Sequence, residues 1–332
     1  MTRTDPPAPP PPRDPEPTRG LQAEPVGLAD PAGAGTVGLG EGVGPGDPAG
    51  AGTVGLGERV GTGTVEPGER VEPAGTGTVG PAAPLRRQVL RSEVLLVLGV
   101  SVGASALYAA LSLLRRLLAP VPLSQTEATL NGSYVPDLPW LDLAFQLAGI
   151  GLGVVPALLA VHLLTRDGIP ARAIGVDAGR PWADLAGGAA LATVVGVPGL
   201  VLYVLAYRLG ISATIVPSAL PDVWWRVPVL VLSAGMNAAL EEVVVVGYLI
   251  TRLQQLSWSP RRAVGAAALL RGAYHLYQGF GAFAGNAVMG VLFGWFFLRT
   301  RRVMPLIVAH TMLDVVAFVG YTALSGRVSW LP

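Results

Sequence analysis

The chain has no cysteine, which excludes disulfides, thiolate zinc sites and a cysteine nucleophile. It has no lysine either, and all 23 basic residues are arginine. With so much glycine, proline, alanine and valine, that composition points to a GC-rich bacterial genome. Charge is scarce: 14% of residues are charged and the net charge is +1, so nothing argues for a nucleic-acid partner. Histidine occurs three times, His-Glu-x-x-His is absent, and no two histidines share a helix turn, so the usual helical zinc pair is missing. What the chain does have is apolar length. Hydrophobic residues make up 51% of it and the mean hydropathy is +0.51, the balance of a membrane protein.

Residues 1–84 form a tail of Pro, Gly, Ala, Thr and Val whose apolar residues follow neither a strand nor a helix period, so it is expected to be disordered. Within it Asp30–Glu41 recurs unchanged as Asp47–Glu58, an offset of 17 residues, which reads as duplicated low-complexity sequence rather than a solenoid. The tail has no apolar core of the signal-peptide kind. From residue 85 to 332 the composition changes to a polytopic all-α transmembrane domain.

Apolar stretches near 94–114, 142–164, 184–207 and 227–250 each approach the length a helix needs to cross the hydrocarbon core, and three more lie near 263–279, 284–298 and 303–323. That predicts about seven spans, the fifth and sixth forming a re-entrant-looking pair around Gly279–Ala284. Alternate loops carry twelve arginines against five on the other side, which predicts a cytoplasmic N-terminus in a bacterial plasma membrane. Arg115 and Arg116 run against this bias. Ala171–Val176 is amphipathic and is expected along the inner membrane surface.

The stretch from Asn237 to Tyr248 places two carboxylates, Glu241 and Glu242, in an otherwise apolar span. A carboxylate deep in a bilayer costs about 2.5–3.5 kcal/mol on insertion scales, so such residues usually face a polar cavity. Downstream, Arg271 and His275 share a helix face at i, i+4, as do His310 and Asp314. A carboxylate with two imidazoles is a sufficient kit for activating water: the carboxylate takes a proton, and the imidazoles polarise a carbonyl, steady an oxyanion or bind a metal. The plainer readings are interhelical hydrogen bonding by the histidines and an ion pair between Arg271 and a glutamate. His162, beside Arg166 and Asp167, reads as an interfacial residue.

Glu241-Glu242 followed by Gly247-Tyr248-Leu249, then Tyr274-His275-Leu-Tyr-Gln-Gly279, then His310-x-x-x-Asp314 resemble the three motifs of the CPBP intramembrane proteases. That group holds the type II CAAX prenyl endopeptidases and the bacteriocin-processing or self-immunity (ABI) proteins. The resemblance covers about residues 140–325. It implies a membrane endopeptidase acting on a membrane-associated peptide or protein, with Glu241 activating water and Glu242 supporting it. His275, His310 and Asp314 would hold water or stabilise the oxyanion. A divalent metal such as zinc on Glu241, His275 and His310, from three helices, and a metal-free glutamate–water site both stay open.

Two positions depart from the family pattern. The first motif usually ends in Arg where this chain has Val246, and the second usually has an aromatic where it has Arg271. Arg271 is expected to supply the missing guanidinium from the neighbouring helix, since a lone Arg in a membrane needs a partner. The rival readings are a catalytically silent scaffold or immunity protein, favoured by Val246, and a proton-coupled transporter, for which no internal symmetry is present.

Overall fold

The computed structural model describes residues 84–324, and the N-terminal tail with its repeat lies outside the described residues. Eight helices make up the bundle: α1 (Pro84–Gly99), α2 (Val102–Leu117), α3 (Pro139–Arg166), α4 (Pro181–Arg208), α5 (Arg226–Gln255), α6 (Pro260–Tyr274), α7 (Phe280–Thr300) and α8 (Met304–Leu324). Prolines at 139, 181 and 260 open α3, α4 and α6, where the missing N–H costs no helical hydrogen bond.

Five of these helices, α3, α4, α5, α7 and α8, are long and apolar enough to cross a membrane. The pair α1–α2 makes a sixth if its 53° bend is one broken span. The fifth expected span, near 263–279, is not found as a span. Its residues form α6, only 15 residues long, followed by a 3₁₀ turn at Leu276–Gln278 that leads into α7. A helix of that length rises about 22 Å, short of the hydrocarbon core. Close glycine contacts pack α6 against α7: a Cβ on Gly290 would lie 2.8 Å from the Ala268 Cα, so only glycine lets the two backbones approach this closely.

The core sits around α5. In its most apolar window 61% of residues are buried, against 22% for α3 and 6% for α4, so α5 is surrounded by protein while α4 turns its apolar surface outward. Within α5 the backbone switches to i→i+5 bonding over Glu242–Leu249, a π-helical stretch that starts at the second glutamate. Such segments are uncommon and tend to sit at functional sites.

Two short strands, β1 (Glu127–Thr129) and β2 (Thr214–Val216), pair in parallel in the loops that follow α2 and α4, with Ala128 opposite Ile215. The segment Ala171–Ile174 docks on the bundle instead of lying free on a surface: Ile174 is buried, and its carbonyl accepts from the Val303 N–H at 3.0 Å.

Candidate active site

Adjacent residues on a helix diverge by about 100° around its axis. Glu241 and Glu242 therefore face different surroundings. Glu241 lines a cavity of about 560 Å³ and keeps 14% of its side-chain surface exposed, whereas Glu242 is fully buried behind it. The cavity wall also includes Asn237, Tyr274, His275, His310 and Asp314.

Arg271, from α6, ties the set together through one nitrogen. Its NH2 lies 2.7 Å from Glu242 Oε1, 3.3 Å from Glu241 Oε2 and 3.0 Å from His310 Nδ1. The guanidinium stacks over Phe293 at 5.3 Å, a cation–π contact that helps hold it in an apolar wall. The expected delivery of a guanidinium from the neighbouring helix is thus the arrangement found.

The imidazoles sit differently. His310 bridges two acids, with Nδ1 2.8 Å from Glu242 Oε1 and Nε2 3.6 Å from Asp314 Oδ1. His275 ends α6, and its Nδ1 lies 2.9 Å from the Arg271 carbonyl. A carbonyl only accepts, so this Nδ1 carries the proton and a neutral ring keeps Nε2 as an acceptor. Gly279, at φ +108°, makes the sharp turn that follows His275, and a Cβ there would lie 2.7 Å from the Ser212 Cα.

Two members of the site carried no role in the sequence reading. Tyr274 donates its hydroxyl to Glu241 Oε2 at 2.7 Å and stacks on the His275 ring at 4.8 Å. Asn237 lies one turn before Glu241 on the same face and lines the cavity, and its i−4 spacing from Glu241 was the available signal.

Among the described residues, the group whose donor atoms lie within 4.8 Å of one another is Glu241, Glu242 and His310, and His275 is not in it. Such donors suit a divalent ion such as zinc in kind. The Arg271 NH2, however, contacts all three of these side chains, and a fixed guanidinium at that point opposes a second cation. With Arg271 so placed, the set does not fit a metal.

Residues 223–316 match the family model for type II CAAX prenyl endopeptidase Rce1-like proteins. Over that stretch the chain is similar to the CAAX-protease family. The matched residues contain α5, α6, α7, the first part of α8 and every ionisable site residue named above, while all of α1–α4 lies outside them. No curated protein and no solved structure matches the chain. The family implies a protease, and with its apolar helices the chain is a multi-pass membrane protein.

Proposed function

We propose that the protein is an intramembrane endopeptidase that hydrolyses a peptide bond of a membrane-associated substrate with water activated by Glu241. One observation carries this reading: of two adjacent glutamates, one is buried against a guanidinium and the other reaches a cavity beside two histidines. In the proposed reaction the Glu241 carboxylate takes a proton from water as the water oxygen bonds to the peptide carbonyl carbon. The carbonyl becomes an oxyanion, and the side-chain amide of Asn237 is a neutral donor on the same cavity wall. Glu241 then passes its proton to the amide nitrogen as the C–N bond breaks, leaving a carboxyl group and an amine. His275 accepts from the attacking water through Nε2, which aims the water while Nδ1 stays pinned to the Arg271 carbonyl. Tyr274 and Arg271 hold Glu241 from its Oε2 side.

The chemistry proposed needs no metal, because Arg271 already supplies the positive charge that Glu241, Glu242 and His310 surround. The placement we propose is a bacterial plasma membrane with the N-terminus in the cytoplasm. Arg116, one of the two arginines that ran against the charge bias, is buried and bonded to backbone carbonyls, so it reports packing rather than topology.

A silent scaffold is the second reading, favoured by Val246 and by the guanidinium 3.3 Å from Glu241. The test is cleavage of a library of membrane-proximal peptides by the purified protein in detergent, wild type beside Glu241→Gln and His275→Ala, with and without chelator. Cleavage lost in both variants and indifferent to chelator supports the proposal. Cleavage retained by Glu241→Gln ends it, and chelator sensitivity ends its metal-free form.

A further inference from the structure

The small parallel sheet has two outer edges, and they are treated differently. On β1 the outward carbonyl of Glu127 accepts from Arg116 NH2 at 2.9 Å, and the same guanidinium also donates to the Tyr277 carbonyl, so that outward acceptor is taken by the protein's own side chain. On β2 the residues facing β1 are Thr214 and Val216, fixed by Thr214 N–H to the Thr126 carbonyl at 2.9 Å and Leu130 N–H to the Val216 carbonyl at 3.0 Å. Ile215 therefore turns its N–H and carbonyl away from β1.

The start of this outward edge is already paired. Ala213 N–H donates to the Gln278 carbonyl and Phe280 N–H to the Ile211 carbonyl, each at 3.0 Å, as an antiparallel bridge between Ser212 and Gly279. Upstream of Gln278 the chain leaves the edge, because Leu276–Gln278 curls into the 3₁₀ turn after His275. Ile215 is then the next outward rung, and its N–H meets only the Tyr203 hydroxyl, at a long 3.4 Å. Among the described residues its carbonyl has no partner. One rung further, Pro217 has no N–H to offer, and its carbonyl accepts from Asn131. Ile215 and Tyr203 both line the cavity that holds Glu241 and His275.

We infer that the Ile215 rung of β2 is a substrate subsite, which binds the peptide as an added antiparallel strand running on in line from Gln278–Phe280. This rests on the peptidase reading. A lone rung can exchange both bonds with one residue of an extended peptide, which is how β-augmentation anchors a chain without reading its side chains. The occupant is an extended peptide segment because its backbone presents a donor and an acceptor at the spacing of one antiparallel rung. Tyr203 gives up its long bond when the segment enters. The line of the edge leads from the subsite toward the turn that carries His275, so docking here would lay the peptide backbone along the same cavity as Glu241.

The probe is a set of short peptides, apolar at alternate positions and carrying a photo-crosslinker, applied to the full-length Glu241→Gln protein in detergent. A second set is N-methylated at one backbone nitrogen at a time. The expected result is crosslinking to Ile215 and Tyr203 that falls about tenfold on N-methylation at one position and little at its neighbours, the loss of one backbone hydrogen bond. Ile215→Pro, checked for unchanged thermal unfolding, should lose the same signal, and the N-methyl scan stands without it. Crosslinks elsewhere in the cavity, none at this edge, or equal tolerance of N-methylation at every position overturns the subsite. If wild type cleaves the peptides without register preference, the hydrolase reading stands and the subsite falls. If wild type cleaves nothing while the N-methyl pattern appears, the subsite stands and hydrolysis falls.

Discussion

Two buried arginines of this protein, Arg252 and Arg271, have the same surroundings in kind and opposite completeness. Arg252 spreads its bonds over both terminal nitrogens: NH1 to Asp167 and Gln255 at 2.8 Å each, NH2 to Glu93 at 2.7 Å and to the Leu163 carbonyl at 3.0 Å. Tyr248 closes the cluster by donating to Glu93 at 2.9 Å. None of these residues lines the cavity. Arg271 instead crowds three partners onto NH2, while its Nε and NH1 and the Glu242 Oε2 find no hydrogen-bond partner among the described residues. A nearly satisfied network joins α1, α3 and α5 and ends there. An unsatisfied one that abuts a cavity keeps polar capacity in reserve, which is what a site needs and a mere tie does not.

The sharpest way to break this comparison is Glu241→Gln, which keeps the shape of the site and removes its base. Cleavage should fall by about 10²–10⁴-fold, the usual range for a general base, with thermal unfolding unchanged. Arg252→Ala should act in the opposite manner. It takes the buried cation from Glu93 and Asp167 and leaves them the more exposed Arg166, at 3.3 and 3.9 Å, an effect of about 3–5 kcal/mol for a buried pair, read as a lower unfolding temperature in detergent. Activity per folded molecule should stay the same. Arg271→Ala should affect both properties. Its stability loss should sit near the lower end, about 3 kcal/mol, because Glu242 keeps His310 at 2.8 Å. Cleavage should fall with it, and adding Val246→Arg should restore part of each. A wild-type-like Arg271→Ala protein would mean that the guanidinium is incidental.

Much of this was legible in the chain. The spans were readable because an apolar length has one use in a bilayer, and the partner of Arg271 was readable because a buried cation must be neutralised. Three features were not. The four consecutive valines after Glu242 carry no period, so nothing in them marks the change to i→i+5 bonding. The strands at Glu127–Thr129 and Thr214–Val216 are too short to leave an alternation, and they pair across distant loops. A tyrosine beside a histidine on an apolar helix reads as packing, so the grip of Tyr274 on Glu241 emerges only from the fold. Counting α6 as a span failed because its hydropathy runs on through the 3₁₀ turn into α7 while the backbone does not.

A third arginine extends the comparison to the surface and gives the smallest effect. Arg302, between α7 and α8, donates to Asp184 at 2.7 and 2.8 Å and to Asp177 at 3.2 Å. This joins the loop before α4 to the start of α8. The Asp177 carboxyl is held below its ordinary value of 3.8, first by the Arg302 hydrogen bond and then by the Gly179 N–H. A carboxyl whose folded value is depressed stabilises in full above the unfolded value and loses that contribution as pH falls through the folded one. The unfolding temperature of wild type minus that of Asp177→Asn should therefore be constant from neutral pH to about pH 5 and shrink toward zero below about pH 4. High salt should shrink it at neutral pH too, because this pair is exposed to solvent as the Arg252 and Arg271 clusters are not. A difference that ignores both pH and salt would show that the link between the two helices is made by packing around Gly175, whose Cβ would collide with the Arg302 Cα, and not by charge.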